Sequence, residues 1–122
     1  MTSKKTVILG ASTHPWRYAY MAANKLTNYG HEIIPIGIEE GILAGKEIVI
    51  GHPEIEDVHT VTMYLNPKNQ EEYYEYILDE LQPERIVFNP GSENPALIEA
   101  AKDHDIEVVE GCTLVMLSAG QF

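Results

Sequence analysis

The chain has 122 residues, 44% hydrophobic and 22% charged, with a formal net charge of −11. That balance predicts one globular domain over residues 1–122 with a core of its own, and excludes a disordered chain. The acidic excess excludes a general attraction for nucleic acid, no apolar run is long enough to span a membrane, and one cysteine allows no internal disulfide.

The apolar stretch after "MTSKK" is too short for a secretory signal, so the expected location is cytoplasmic. "TVILG" (6–10) is a continuous apolar run, the mark of a central parallel strand. A helix follows, with Ala19, Ala22, Ala23 and Leu26 on one face, Pro15 at its first position and Gly30 just past its end. "HEIIPIGI" (31–38) reads as a second strand, and Pro35 sets its end near a sheet edge or mouth. Residues 39–58 read as a loop, a short edge strand around Glu47 to Ile50, and another loop. "HTVTMYL" (59–65) is a strand. "NPKNQEEYYEYILDELQP" is a helix capped by Asn66, with Pro67 first and a core stripe of Tyr74, Ile77, Leu78 and Leu81. Tyr73 and Tyr76 fall off that stripe, either as lone exposed aromatics or as a contact in a homodimer. "RIVFN" (85–89) is a strand, "NPALIEAAKDH" (94–104) a helix, "IEVVE" (106–110) the last strand, and "CTLVMLSAG" a terminal helix or apolar tail.

Strand–helix alternation with apolar strands predicts an α/β protein whose parallel sheet is covered on both faces. Right-handed crossovers give the strand order 3-2-1-4-5-6 with a degenerate third strand. Ligands in such sheets bind where the order reverses, at the carboxyl ends of the strands. That places the crevice between Gly10 and Leu65.

Two readings stand for the first loop. In one, Gly10 turns the chain sharply, Ala11 and Ser12 offer N–H groups and a hydroxyl, and Arg17 in the first helical turn adds a cation, together forming a phosphate cradle. In the other, it is a plain βα turn with a solvated arginine. The dinucleotide fingerprint fails, because Ser12 and Pro15 occupy its second and third glycine positions. No acid ends the second strand to take a ribose, so NAD is disfavoured. The five histidines lack metal-ligand spacing, and no serine sits in a nucleophile elbow. Cys112 reads as a small buried hydrophobe or as a redox or acyl-accepting thiol. Asn66 and Asn89 read as caps whose side chains also face the crevice.

The segments "VILGAS" (7–12), "GHEIIPIG" (30–37), "VTMYLNP" (61–67), "NPGSENPALIEAA" (89–101) and "IEVVEGCTLV" (106–115) resemble the small stand-alone coenzyme A-binding protein family. That family is related to the CoA-binding domain of the succinyl-CoA synthetase alpha subunit, and the likeness covers nearly the whole chain. It implies a Rossmann-like, doubly wound, mainly parallel sheet in a three-layer αβα domain. The ligand it implies is coenzyme A or an acyl-CoA. By the same likeness, Gly10, Ala11, Ser12 and Arg17 would meet the phosphates and Ile36 and Gly37 the adenine. Leu65, Asn66, Asn89 and Gly91 would lie along the crevice. Three places depart from the family pattern: Gly37-Ile38 stands for a common Asn-Pro, Leu65-Asn66 for a common arginine, and "NPG" (89–91) for Gln-x-Gly. The expected function is binding of a nucleotide-containing small molecule without evident catalysis. The alternatives are a small enzyme using Cys112 on a bound thioester and a protein-interaction or regulatory module with a vestigial nucleotide site. Neither nucleic acid nor membrane is expected as a partner.

Overall fold

The computed structural model describes residues 3–122. In chain order the elements begin with β1 (Thr6–Leu9), α1 (Tyr18–Asn28), β2 (Ile33–Ile36), β3 (Ile42–Leu43), β4 (Lys46–Glu47) and β5 (Thr60–Met63). They continue with α2 (Pro67–Gln70), β6 (Arg85–Phe88), α3 (Pro95–Asp103), β7 (Glu107–Glu110) and α4 (Thr113–Ser118). Five strands pair in parallel in the order β2-β1-β5-β6-β7. Every residue of β1, β5 and β6 is buried, so the centre of the sheet is covered on both faces.

Successive β1 side chains serve opposite faces. Val7 and Leu9 pack with Tyr76, Ile77, Leu97 and Ala101 on the side of α2 and α3. Ile8 packs with Ala19, Ala23 and Leu26 of α1 and Leu117 of α4 on the other. The result is a three-layer α/β fold, and the terminal apolar segment is a helix that closes the second layer.

The expected third strand shrinks to one bridge. Val49 pairs in parallel with Ile36, donating its N–H to the Pro35 carbonyl (2.9 Å) and accepting from the Gly37 N–H (3.0 Å). A small antiparallel pair, β3 with β4, precedes it, and Gly51, at φ +97°, turns the chain away directly afterwards.

Two expectations need correction. Pro15 does not open the first helix. Arg17 N–H donates to His14 O (3.0 Å), so Pro15 occupies the second position of a turn, and Arg17, in extended conformation, is the residue before α1. Tyr73 and Tyr76 are buried rather than exposed. After α2 the chain tightens to a 3-10 turn over Glu71–Tyr73, then widens to a π turn over Tyr76–Leu81. That change of pitch rotates both tyrosines inward, leaving Tyr74 and Leu78 only partly buried. His52 stacks on Tyr76, whose hydroxyl donates to the Pro53 carbonyl. Asn66 caps as expected and Asn94 does the same for α3, each accepting from a backbone N–H three residues on, at 2.9 and 3.3 Å.

Candidate functional site

At the carboxyl end of β1 the chain enters Gly10 with φ +92°. A Cβ there would meet the Tyr64 carbonyl carbon at 3.1 Å and Leu65 Cδ2 at 3.2 Å, so Leu65 packs closely against the glycine. Gly10 and Ala11 both donate their N–H groups to the Ile36 carbonyl, at 3.1 and 2.9 Å. Those two amides fasten the loop to β2 and are already engaged.

The donors left over lie further along the loop. Ser12 and Thr13 N–H groups have no acceptor among the described residues. Ser12 Oγ accepts from His14 N–H (3.1 Å), leaving the hydroxyl proton to donate elsewhere. Arg17 is exposed and forms no ion pair among the described residues. Two amides and one hydroxyl proton of this loop, and the guanidinium of Arg17 that follows it, are thus uncommitted among the described residues.

The other expected positions divide into supports and rims. Ile36 is fully buried, and Gly37 is sealed as well. A Cβ on Gly37 would come within 2.5 Å of the Ala11 carbonyl oxygen, so only glycine lets the two loops touch. Both side-chain positions are thus enclosed by the protein. Asn89 is 2% exposed. Its amide nitrogen donates to Thr62 Oγ1 (2.8 Å) and the Met63 carbonyl (3.0 Å), and its oxygen accepts from Thr113 N–H (2.8 Å). That side chain ties β5, β6 and α4 together and does not project into the crevice. Asn66 is exposed, but its oxygen is occupied as the cap of α2. Gly91 is exposed with φ +94°, and its N–H donates to the Glu93 carboxylate (2.8 Å), which leaves that end of the crevice negative.

Beneath this floor lies a buried polar network absent from the sequence-based expectations. Gln70, fully buried, donates to the carbonyls of Leu65 and Ser92, both at 2.8 Å, and accepts from Asn94 (2.9 Å). Asn94 also donates to the Tyr74 hydroxyl (2.7 Å). Gln70 fixes the backbone that follows β5 and β6. The available signal was the repeated Asn-Pro helix start, which sets two capped helices side by side at the same edge of the sheet.

Cys112 is half-buried, at the residue before α4. Burial pushes the Tyr64 phenol up to about 12, so Tyr64 brings no charge to the crevice at neutral pH. The side-chain contact between a histidine and a hydroxyl, His59 Nδ1 with Thr60 Oγ1 (2.7 Å), lies at the opposite, amino-terminal end of the sheet, where Thr60 is buried. A groove at that end is lined by Glu54, Glu56, Asp57, Glu80 and Glu84, a setting that repels anions. Among the described residues no cluster of His, Cys, Asp and Glu could hold a metal ion, and no helix is long and apolar enough to cross a membrane.

The sequence profile described as "CoA binding domain" matches residues 4–118. A crystal structure of an uncharacterized protein is 53% identical, superimposes with a TM-score of 0.96, and is matched over 100% of both chains. "Cell-free ID.343" from Thermus thermophilus is 22% identical with a TM-score of 0.85, over 98% of this chain and 91% of the other. A hypothetical protein from Pyrococcus horikoshii OT3 is 20% identical with a TM-score of 0.83, over 96% and 83%. The last two share the fold. No curated protein matches.

Proposed function

The chain belongs to the CoA binding domain family, and from that premise we propose that it binds coenzyme A or an acyl-CoA at the loop after β1. The ligand's phosphates meet the N–H groups of Ser12 and Thr13, the Ser12 hydroxyl and the Arg17 guanidinium. Gly10 and Ala11 set the shape of that loop without touching the ligand, and Ile36, Gly37 and Asn89 hold its surroundings. Leu65, Asn66 and Gly91 border the path of the pantetheine arm. The reading takes the chain as one ligand-binding unit and assigns it no bond-breaking step.

One observation carries it. On a chain of net charge −11, two successive amides of this loop have no acceptor among the described residues, and Arg17, four residues on from Thr13, has no carboxylate partner among them. A charged ligand is what that arrangement would satisfy.

Coenzyme A is expected to raise the melting temperature, and pantetheine, which lacks the phosphates, to leave it unchanged. Arg17→Ala should weaken coenzyme A binding by about 1.5–3 kcal/mol, the range for a hydrogen bond to a charged group. A thermal melt reads the first arm and titration calorimetry the second. Equal shifts with coenzyme A and pantetheine, or full affinity in the variant, would remove the phosphates from the site.

A further inference from the structure

We infer that the indole of Trp16 is the platform on which the ligand's purine stacks, with Ile38 and Ile42 as the apolar wall beside it. This inference rests on coenzyme A as the ligand and adds where its base lies. The positions first expected to frame an adenine are closed. Ile36 has no exposed surface, and Gly37 is pressed against Ala11, so no slot for a flat ring opens between them. The segments that follow β1 and β2 instead expose Trp16 at 71%, Ile38 at 81% and Ile42 at 69%. Large apolar groups gathered in water beside a polar loop mark a binding surface more often than scattered exposure does.

The geometry joins these groups to the anion donors. Ile38 follows β2 by two residues. Gly41, the neighbour of Ile42, lies so close to Thr13 that a Cβ on it would meet Thr13 Cγ2 at 2.5 Å. Thr13 carries one of the two free amides, and Trp16 sits directly before Arg17. The indole is also held in place. It lies within the turn closed by Arg17 N–H on His14 O, and the His14 ring stacks on it with centroids 4.6 Å apart and planes 27° apart. A flat aromatic next to phosphate donors, backed on one side and largely exposed, suits a nucleobase whose diphosphate is anchored at the loop. A bare hydrocarbon would gain from Ile38 and Ile42 but would leave the ordered indole without a stacking partner.

Trp16 is the only tryptophan in the chain, so its emission reports on this one ring. Coenzyme A should quench that emission in step with the calorimetric binding curve. Adenosine 3′,5′-bisphosphate should quench it too, and 4′-phosphopantetheine should leave it unchanged. Trp16→Ala should weaken coenzyme A binding about 5- to 150-fold, the span of a lost base stack, and Trp16→Phe should restore most of it. Calorimetric binding of coenzyme A with unchanged emission and an unaffected Trp16→Ala variant would overturn the inference while leaving the ligand assignment intact. No heat with coenzyme A at all would overturn the assignment, and the inference with it. Quenching by 4′-phosphopantetheine would put the wrong half of the ligand on the indole. Emission that changes with protein concentration in ligand-free protein would make the patch a contact between two copies of the chain.

Discussion

At the scale of single residues, Asn89 shows what the strand period does not encode. It follows the last residue of β6, where alternation ends and a side chain's direction depends on neighbours distant in sequence. "NPG" read as a cap facing the crevice, yet Thr62, Met63 and Thr113 together hold the side chain inside. Asn89→Ala would leave the Thr113 N–H without its buried acceptor and take a donor from Thr62 Oγ1 and the Met63 carbonyl. Stability should fall by about 2–3 kcal/mol, read as a lower urea midpoint at unchanged slope. A variant as stable as the wild type would show that water replaces the lost contacts. Gly10 is the converse case. Its sharp turn was legible in the sequence because only glycine adopts that backbone freely. The acceptor of its N–H was not, since Ile36 lies on another strand.

Whole elements were more legible than their faces. The apolar runs marked all five strands of the sheet, and right-handed crossovers gave their order, including a third strand so weak that only Val49 bridges. The helix after Asn66 was legible with its cap and half of its stripe: Ile77 and Leu81 are buried as expected, while Tyr73 and Tyr76 replace Tyr74 and Leu78 as the other buried positions. A stripe drawn at 100° per residue fails once a 3-10 turn and a π turn share one helix. The π turn ends at Gln82, which adopts φ 45° and ψ 58° and donates its N–H to Ile77 O (3.0 Å). A side chain pays a steric penalty in that left-handed conformation, while glycine does not. Gln82→Gly should therefore stabilise the protein by about 0.5–1 kcal/mol after glycine's extra unfolded-state entropy is subtracted. A thermal melt tests this; a lower midpoint would mean that entropy outweighs the relief.

Across the whole molecule, the amino end of the sheet carries both signs of charge: beside the acidic groove it gathers Lys4, His31, His59 and Arg85. The Phe122 ring lies there beneath the Arg85 guanidinium, 4.4 Å from its centroid, and meets the His31 ring at 5.1 Å. Burial, then the charges of Lys4 and Arg85 and the nearby His59, hold His31 below its usual 6.5. Burial also lowers His59, while Glu84 opposes the shift. Both imidazoles are thus less readily protonated in the folded chain than in the unfolded one. Below pH about 6.5 the unfolded state binds more protons, so stability present at higher pH is lost as pH falls through the lowered values. The melting temperature should drop between pH 7.5 and 5.5, a window in which unperturbed carboxylates stay ionised. His31→Asn, which keeps an acceptor for the Lys4 N–H, should flatten part of that slope. An identical slope in the variant would assign the loss to other groups. The solitary Val49 bridge has its own consequence. Pro35 lacks an N–H, its carbonyl already holds Val49, and the next donor on that side, Gly37, is taken by the same residue. One rim of the sheet therefore offers an intruding strand almost nothing to zip onto, while the far rim, β7, carries exposed Glu107 and Glu110 that deter stacking into fibrils.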